Sequence, residues 1–299
     1  MKIKTTIIGL GNIGLLYDYN SKNIQTNSKA IYLNKKFELI GAIEPVKNKR
    51  LLFYKKFKIN TFSKLNDSII KRSNLVVIST STNLLFENLK KVINLNPKIN
   101  ILIEKPFGLK KKEIEFVIKK FKKNKIYINY YRNYNKNILD LKKIIFKKIK
   151  GPFDGSLYYC KGFLHNCSHY IALFYELFGK IKKVDINSVK SFKNNYYVNA
   201  TVYYNNFRLS IYSNKKSMNN IFKINGVNGE LNYQKDGSKI SYKSNSFKTK
   251  KKNISNKILN YQKEVYNNIY KDLLDQKSNV FDYKKILQLN KEIEKFKLL

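Results

Sequence analysis

Residues 5–14, TTIIGLGNIG, set the pattern for the first part of the chain: four β-branched residues in a row, then glycines at GxGxxG spacing. Such a run suits a strand buried on both faces, and a helix is expected to open behind Gly9, Gly11 and Gly14. The alternation then repeats. FELIGAIEP reads as a second strand ending at Glu44, LVVISTST (75–82) as another, INILIEKP (99–106) as a further one, and KIYINYYRNY (125–134) as the last. Between them lie helical spacings: a polar insert running into SKAIYL, NLLFENLKKVINL with apolar residues three and four apart, and KKKEIEFVIKKFKK. Strand and helix in alternation predict a parallel sheet over residues 1–128.

From about residue 150 the pattern changes to short Tyr-rich and Phe-rich strands, SLYY, YYVNATVYY, FRLSIYS, NIFKING and GELNYQ, joined by Asn and Gly turns. One helix, SHYIALFYELFGK, interrupts them, and helices at 257–273 and 282–297 close the chain, free to pack back on the first domain. KTKKKN (248–253) reads as an exposed loop. The expectation is an α/β domain over 1–128 followed by an α+β domain over 129–299 with a mostly antiparallel sheet.

Composition refines this picture at three points. With 299 residues and 43% hydrophobic content, two cored domains are the expectation rather than disorder. The longest apolar runs are strand-sized, so no membrane span is expected, and MKIK leading into a strand points to the cytoplasm. Two cysteines, Cys160 and Cys167, offer no disulfide framework, which fits a reducing compartment. The formal net charge of +40 suggests a polyanion partner at first sight, yet only Arg50, Arg72, Arg132 and Arg208 among 60 basic residues are Arg. Arg is the residue favoured for phosphate and guanine recognition, and the lysines form no single arm or stripe, so no specific nucleic-acid partner is expected.

A glycine loop behind a buried strand is suited to a dinucleotide. Gly9 would make the tight turn, Gly11 would let the backbone approach a pyrophosphate, Gly14 would allow helix to pack on strand, and Asn12 and Ile13 would supply amides between them. Glu44 at the end of the second strand would bind the adenosine ribose, the polar insert accounting for its 35-residue distance from Gly9. Its carboxylate favours NAD over NADP, although Lys47, Lys49 and Arg50 nearby keep NADP as the alternative.

Four segments, GLGNIG, EKPFG (104–108), INYYRNY (128–134) and HNCSHYIALFYELFG (165–179), occur in an order that resembles the Gfo/Idh/MocA family of NAD(P)-dependent sugar oxidoreductases. The resemblance implies a Rossmann domain with a parallel sheet and a C-terminal α+β domain with an open, mostly antiparallel sheet that often joins subunits, hence a homo-dimer or tetramer. It implies a sugar, cyclitol or nucleotide sugar as substrate; surface-polysaccharide assembly is the expected setting. Lys105 then contacts substrate and nicotinamide ribose beside Glu104, His169 aligns with the catalytic histidine, and Thr80, Ser81, Thr82 and Asn83 form the nicotinamide-side loop.

Chemistry supports the same residues. Oxidising an alcohol needs a base for the hydroxyl proton and a cationic donor for the developing alkoxide, which His169 and Lys105 can supply. Two departures from the family stand beside them. His165 and Ala172 occupy positions commonly held by acidic residues, so His165 becomes a candidate for the catalytic set, and a non-catalytic binding relative is the alternative reading. Arg132, written as Arg in a lysine-rich chain, and Asn166 are candidate substrate contacts. Cys160, His165, Cys167 and His169 could suggest zinc, but their spacing matches no paired-ligand pattern, and no metal is expected.

Overall fold

The computed structural model describes residues 2–107, 110–120, 124–135, 137–192, 195–214, 219–244, 252–255, 260–278 and 280–296. They fall into two units, Met1–Tyr134 with Leu259–Leu287, and Asn135–Ile258 with Gln288–Leu299. No helix among the described residues is long and apolar enough to cross a membrane.

In the first unit the apolar runs become β1 (Ile3–Ile8), β2 (Phe37–Ile43), β3 (Thr61–Phe62), β4 (Leu75–Ile78), β5 (Asn100–Ile103) and β6 (Ile126–Ile128). They form one parallel sheet in the order β3-β2-β1-β4-β5-β6. All four residues of β4 are buried, as a central strand covered on both faces requires. Five helices belong to this stretch: α1 (Asn27–Tyr32), α2 (Lys47–Phe57), α3 (Asp67–Arg72), α4 (Thr82–Leu95) and α5 (Lys111–Lys120). α4 buries Leu85, Leu89, Val92 and Ile93, the i, i+4, i+7, i+8 stripe visible in its sequence. Thr26 and Asn66 cap α1 and α3, each side chain accepting from the amide three residues on.

The strands end level with one another. Ile8 pairs with Ile43 and Ile78, Ile78 with Ile103, and Ile103 with Ile128. The residue after each end then donates across to its neighbour: Gly9 N to Ile43 O (2.8 Å), Ser79 N to Ile8 O (2.7 Å), Glu104 N to Ile78 O (3.0 Å) and Asn129 N to Ile103 O (2.9 Å). Glu44, Gly9, Ser79, Glu104 and Asn129 therefore stand in one row along the carboxyl edge. The strand order reverses between β1 and β4, and it is at such a reversal that open α/β sheets hold ligands.

The second unit contains α6 (Ile138–Lys143), α7 (Ser168–Phe178) and eight strands, β7 (Phe153–Tyr159), β8 (Lys183–Phe192), β9 (Asn195–Tyr203), β10 (Phe207–Ser213), β11 (Ile221–Gly226), β12 (Gly229–Gln234), β13 (Lys239–Ser244) and β14 (Lys252–Ser255). Their order is β14-β13-β12-β11-β7-β10-β9-β8, antiparallel except for the β7–β10 pair. α7 packs on one face through aromatic rings: Phe178 stacks on Phe207 at 4.2 Å, and Phe174 meets Phe222 at 5.2 Å. Tyr158, Phe192, Tyr196 and Tyr212 are exposed.

Two helices complete the chain. α8 (Tyr261–Leu273) belongs to the first unit, and α9 (Tyr283–Glu294) carries the chain back into the second. Tyr266 of α8 sets its ring edge against Phe37 at 5.4 Å, and Asp272 takes a hydrogen bond from Tyr127 on β6 at 2.8 Å.

The fold class stands as expected, with local corrections. The run 125–134 is a strand only over Ile126–Ile128, because Asn129 ends the ladder and Tyr130 N turns back onto Ile128 O at 2.8 Å; Tyr131–Tyr134 is a 3-10 turn. Lys252 and Asn253 open β14 rather than an exposed loop, since their strand pairs with β13; residues 248–251 lie outside the described set. β8 is an unanticipated strand: most of its residues are exposed, so it lacks the alternation that marks a half-buried strand.

Candidate active site

Gly9 takes φ 95°, and a Cβ there would come within 2.8 Å of the Ser79 carbonyl group, so only glycine allows this turn beside β4. A Cβ on Gly14 would overlap the Gly9 carbonyl oxygen, which fixes the contact between the turn and the strand end. Over Gly11 a Cβ would meet no atom within 4 Å, leaving the backbone open to a ligand.

The helix expected here is not an α-helix. Asn12–Leu16 is a five-residue π-helical turn, with Leu16 N on Gly11 O at 3.2 Å and Tyr17 N on Asn12 O at 3.0 Å. Asp18 ends it. Its buried carboxylate accepts from Gln25 N (2.6 Å), Thr26 N (3.0 Å) and Thr26 Oγ1 (2.7 Å), folding the polar insert back on itself, and Lys29 Nζ closes the loop on the Asp18 carbonyl at 3.1 Å. Asn12 and Ile13 thus lie where the turn opens, ahead of its first internal bonds.

Glu44 is buried at the end of β2. Its Oε2 accepts from Leu10 N at 2.8 Å, tying the acid to the glycine loop, and its Oε1 accepts from Val46 N at 3.0 Å. Each oxygen retains a lone pair for a ribose hydroxyl. Arg50 donates to the backbone here, to the Glu44 and Pro45 carbonyls at 2.7 and 2.6 Å. Ser81 is the N-cap residue of α4, with Thr82 and Asn83 exposed on its first turn. Thr80 Oγ1 is buried with no hydrogen-bond partner among the described residues. An open cradle over Gly11, a carboxylate at the strand end and an orphaned hydroxyl at the β4 loop together fit a dinucleotide.

Glu104 and Lys105 follow β5. Glu104 is buried, and its Oε1 accepts from Asn27 Nδ2 at 2.9 Å and from Asn129 Nδ2 at 2.6 Å. Burial pushes its carboxyl above the usual range, while the two amides and the Lys105 charge oppose the shift. Lys105 keeps part of its surface in solvent, and the Lys105–Pro106 peptide is cis. Burial pulls the ammonium down to about 8, the Glu104 charge resisting and the Arg132 charge assisting. Arg132 is buried on the 3-10 turn, its guanidinium 4.8 Å from the Tyr131 ring centroid, and Tyr131 stacks on Tyr261 at 4.2 Å. Two cations, one of them titrating near neutrality, therefore share this edge.

In the second unit His169 is buried in the first turn of α7, whereas His165 is exposed on the π-helical turn Phe163–Cys167. Asn166, a candidate substrate contact, donates to Asn220 Oδ1 at 3.1 Å and to Cys160 Sγ at 3.6 Å, so it holds the turn in place. Ala172 is fully buried. Both thiols are buried and free, and burial raises both above the ordinary cysteine value. Among the described residues no group of three or more His, Cys, Asp or Glu side chains is placed to hold a metal ion.

Sequence reasoning missed several groups. Asp18, Asn27, Ser79, Asn129, Gln262 and Tyr266 build the polar surroundings of the first unit's site, and Asp236 binds Asn220 and Tyr170 (3.4 Å) beside the histidine-bearing helix. Only Asp18 carried a local signal, as a polar residue in the insert behind the glycine loop.

Comparison with known proteins agrees with this geometry. Residues 3–131 match the family model GFO_IDH_MocA, described as an oxidoreductase family with an NAD-binding Rossmann fold. That stretch is thus similar to the NAD-binding Rossmann domain of the Gfo/Idh/MocA oxidoreductases, as its motifs had implied. Solved structures share the fold across both units. A dehydrogenase (MviM) from Clostridium difficile is similar at TM-score 0.77 and 16% identity, over 99% of this chain and 99% of that one. An oxidoreductase from Agrobacterium radiobacter, in complex with NAD+, L-tartaric acid and magnesium, gives TM-score 0.77 and 10% identity, covering 98% of this chain and 95% of that one. The WlbA dehydrogenase from Bordetella pertussis, in complex with NADH and UDP-GlcNAcA, gives TM-score 0.73 and 14% identity, covering 97% and 93%. Among curated protein sequences none matches.

Proposed function

We propose that the protein is an NAD-dependent oxidoreductase acting on a CH–OH group, moving a hydride between nicotinamide and a ring carbon of a sugar or nucleotide sugar. The observation that carries this reading is Lys105: a lysine brought to about 8 by burial, beside Arg132, on the carboxyl edge that also bears the glycine loop. The nucleotide sugar held by WlbA motivates the substrate class. Surface-polysaccharide assembly and a cytoplasmic setting are part of the same proposal.

Glu44, Gly9, Gly11 and Gly14, with Asn12 and Ile13, would hold the adenosine and pyrophosphate, and Thr80, Ser81, Thr82 and Asn83 the nicotinamide side. When bound, NAD accepts or donates the hydride. In the oxidative direction His169 would take the proton of the substrate hydroxyl. Lys105, mostly protonated at pH 7, steadies the oxygen as charge develops on it. Arg132 is assigned to an anionic group of the substrate. A second reading, a dinucleotide-binding relative without turnover, is favoured by His165 and Ala172 standing in place of carboxylates.

Absorbance of reduced nicotinamide, followed with NAD across a panel of sugars and nucleotide sugars, separates the two. Turnover with one substrate supports the enzyme; tight NAD binding with no turnover on any supports the second reading.

A further inference from the structure

The C-terminal helix α8 supplies two side chains to the buried carboxyl beside Lys105. Tyr266 donates its hydroxyl to Asn27 Oδ1 at 2.9 Å, which turns the Asn27 amide so that Nδ2 reaches Ser79 Oγ and Glu104 Oε1, both at 2.9 Å. Gln262 Oε1 accepts from Asn129 Nδ2 at 3.2 Å, and that same nitrogen donates to Glu104 Oε1 at 2.6 Å. All four side chains are buried, so none can exchange these bonds for bulk water. The orientation has a cost: Asn129 Oδ1 and Gln262 Nε2 are buried with no hydrogen-bond partner among the described residues. Both amides are therefore turned to serve the carboxyl rather than to satisfy themselves.

We propose that Tyr266 and Gln262 are positioning residues, which act through Asn27 and Asn129 to hold Glu104 as a hydrogen-bonded carboxylate next to Lys105. The proposal rests on the reading of Lys105 as catalytic, but the linkage itself is a property of the first unit alone. The ionisable groups facing this carboxylate are Lys105, Tyr134, Tyr261 and Tyr266, and Arg132 acts on Lys105. Among them Lys105 and Arg132 are the cations. Burial drives Glu104 toward its neutral form and the two amides oppose this, so losing either donor should let the carboxyl take up a proton. Glu104 would then stop supporting the Lys105 charge, and more of Lys105 would be free amine at neutral pH.

Competitive acylation of Lys105 with acetic anhydride, read by mass spectrometry as a function of pH, tests this without requiring substrate. Tyr266→Phe keeps the ring against Phe37 and removes only the hydroxyl. It should raise the labelling rate at pH 7 about threefold or more, as loss of a neighbouring charge does. Glu104→Gln should do the same, and adding Tyr266→Phe to it should change nothing further. Tyr270→Phe, on the same helix with its ring near Phe37, is the control for general loosening and should leave the rate unchanged. Equal labelling in wild type and Tyr266→Phe would overturn the proposal, as would an equal effect of Tyr270→Phe. Full turnover by Lys105→Met would instead remove the catalytic reading of Lys105 while leaving this linkage standing.

Discussion

Replacing Lys105 with Met should separate stability from catalysis in a pH-dependent way. The substitution keeps the unbranched apolar stem and removes the charge. In the folded protein the ammonium titrates at about 8, against 10.5 for a lysine in water. Between those values the unfolded chain binds the proton and the folded one does not, so stability rises with pH across this window. Below about pH 8 the folded protein bears the whole cost of the buried charge; above 10.5 it bears none. The difference corresponds to about 3 kcal/mol, an upper figure because part of the side chain stays in water. Lys105→Met should therefore be more stable than wild type at pH 7, by up to about 3 kcal/mol, with the gain shrinking as pH rises from 8 to 10. Urea denaturation of both proteins at a series of pH values reads this directly. A stability difference that does not change over that range would refute the reasoning.

Three further outcomes are expected. His169→Ala should leave NAD affinity by calorimetry nearly intact and lower turnover by about 10²- to 10⁴-fold, the usual range for loss of a general base; the exposed His165 should matter less, and full activity in both variants would remove the histidines from the mechanism. Glu44→Ala should weaken NAD binding, because it frees the Leu10 amide as well as the ribose site, and should move preference toward NADP; tighter binding of NADP by the wild type would contradict this. The exposed Tyr158, Phe192, Tyr196 and Tyr212 of the second unit's sheet should give a dimer or tetramer by light scattering, and a monomer mass at micromolar concentration and moderate salt would refute it.

The parts of this protein that were legible in its sequence are those built by neighbours in the chain. β4 announces itself as an unbroken apolar run because both faces are covered, β1 as four β-branched residues in a row, and Gly9 and Gly14 because no other residue fits the turn. Lys105 was legible from its place behind β5. Arg132 was found by residue type, but its 3-10 turn was hidden by tyrosines that suit a strand equally well. What the sequence concealed is long-range. Tyr266 lies 239 positions from the Asn27 it orients, and no local pattern marks a helix whose task is a hydrogen bond to another helix so far away in the chain. The short π-helical turn was equally hidden, as was the capture by Asp18 of amides seven and eight residues ahead.

The most direct test of the account is NAD reduction by wild type and Lys105→Met, with the same nucleotide-sugar panel and with NAD affinity measured in parallel. Wild type is expected to reduce NAD with at least one compound, and Lys105→Met to be slower by about 10²-fold or more at unchanged NAD affinity. Wild-type rates in Lys105→Met would contradict it.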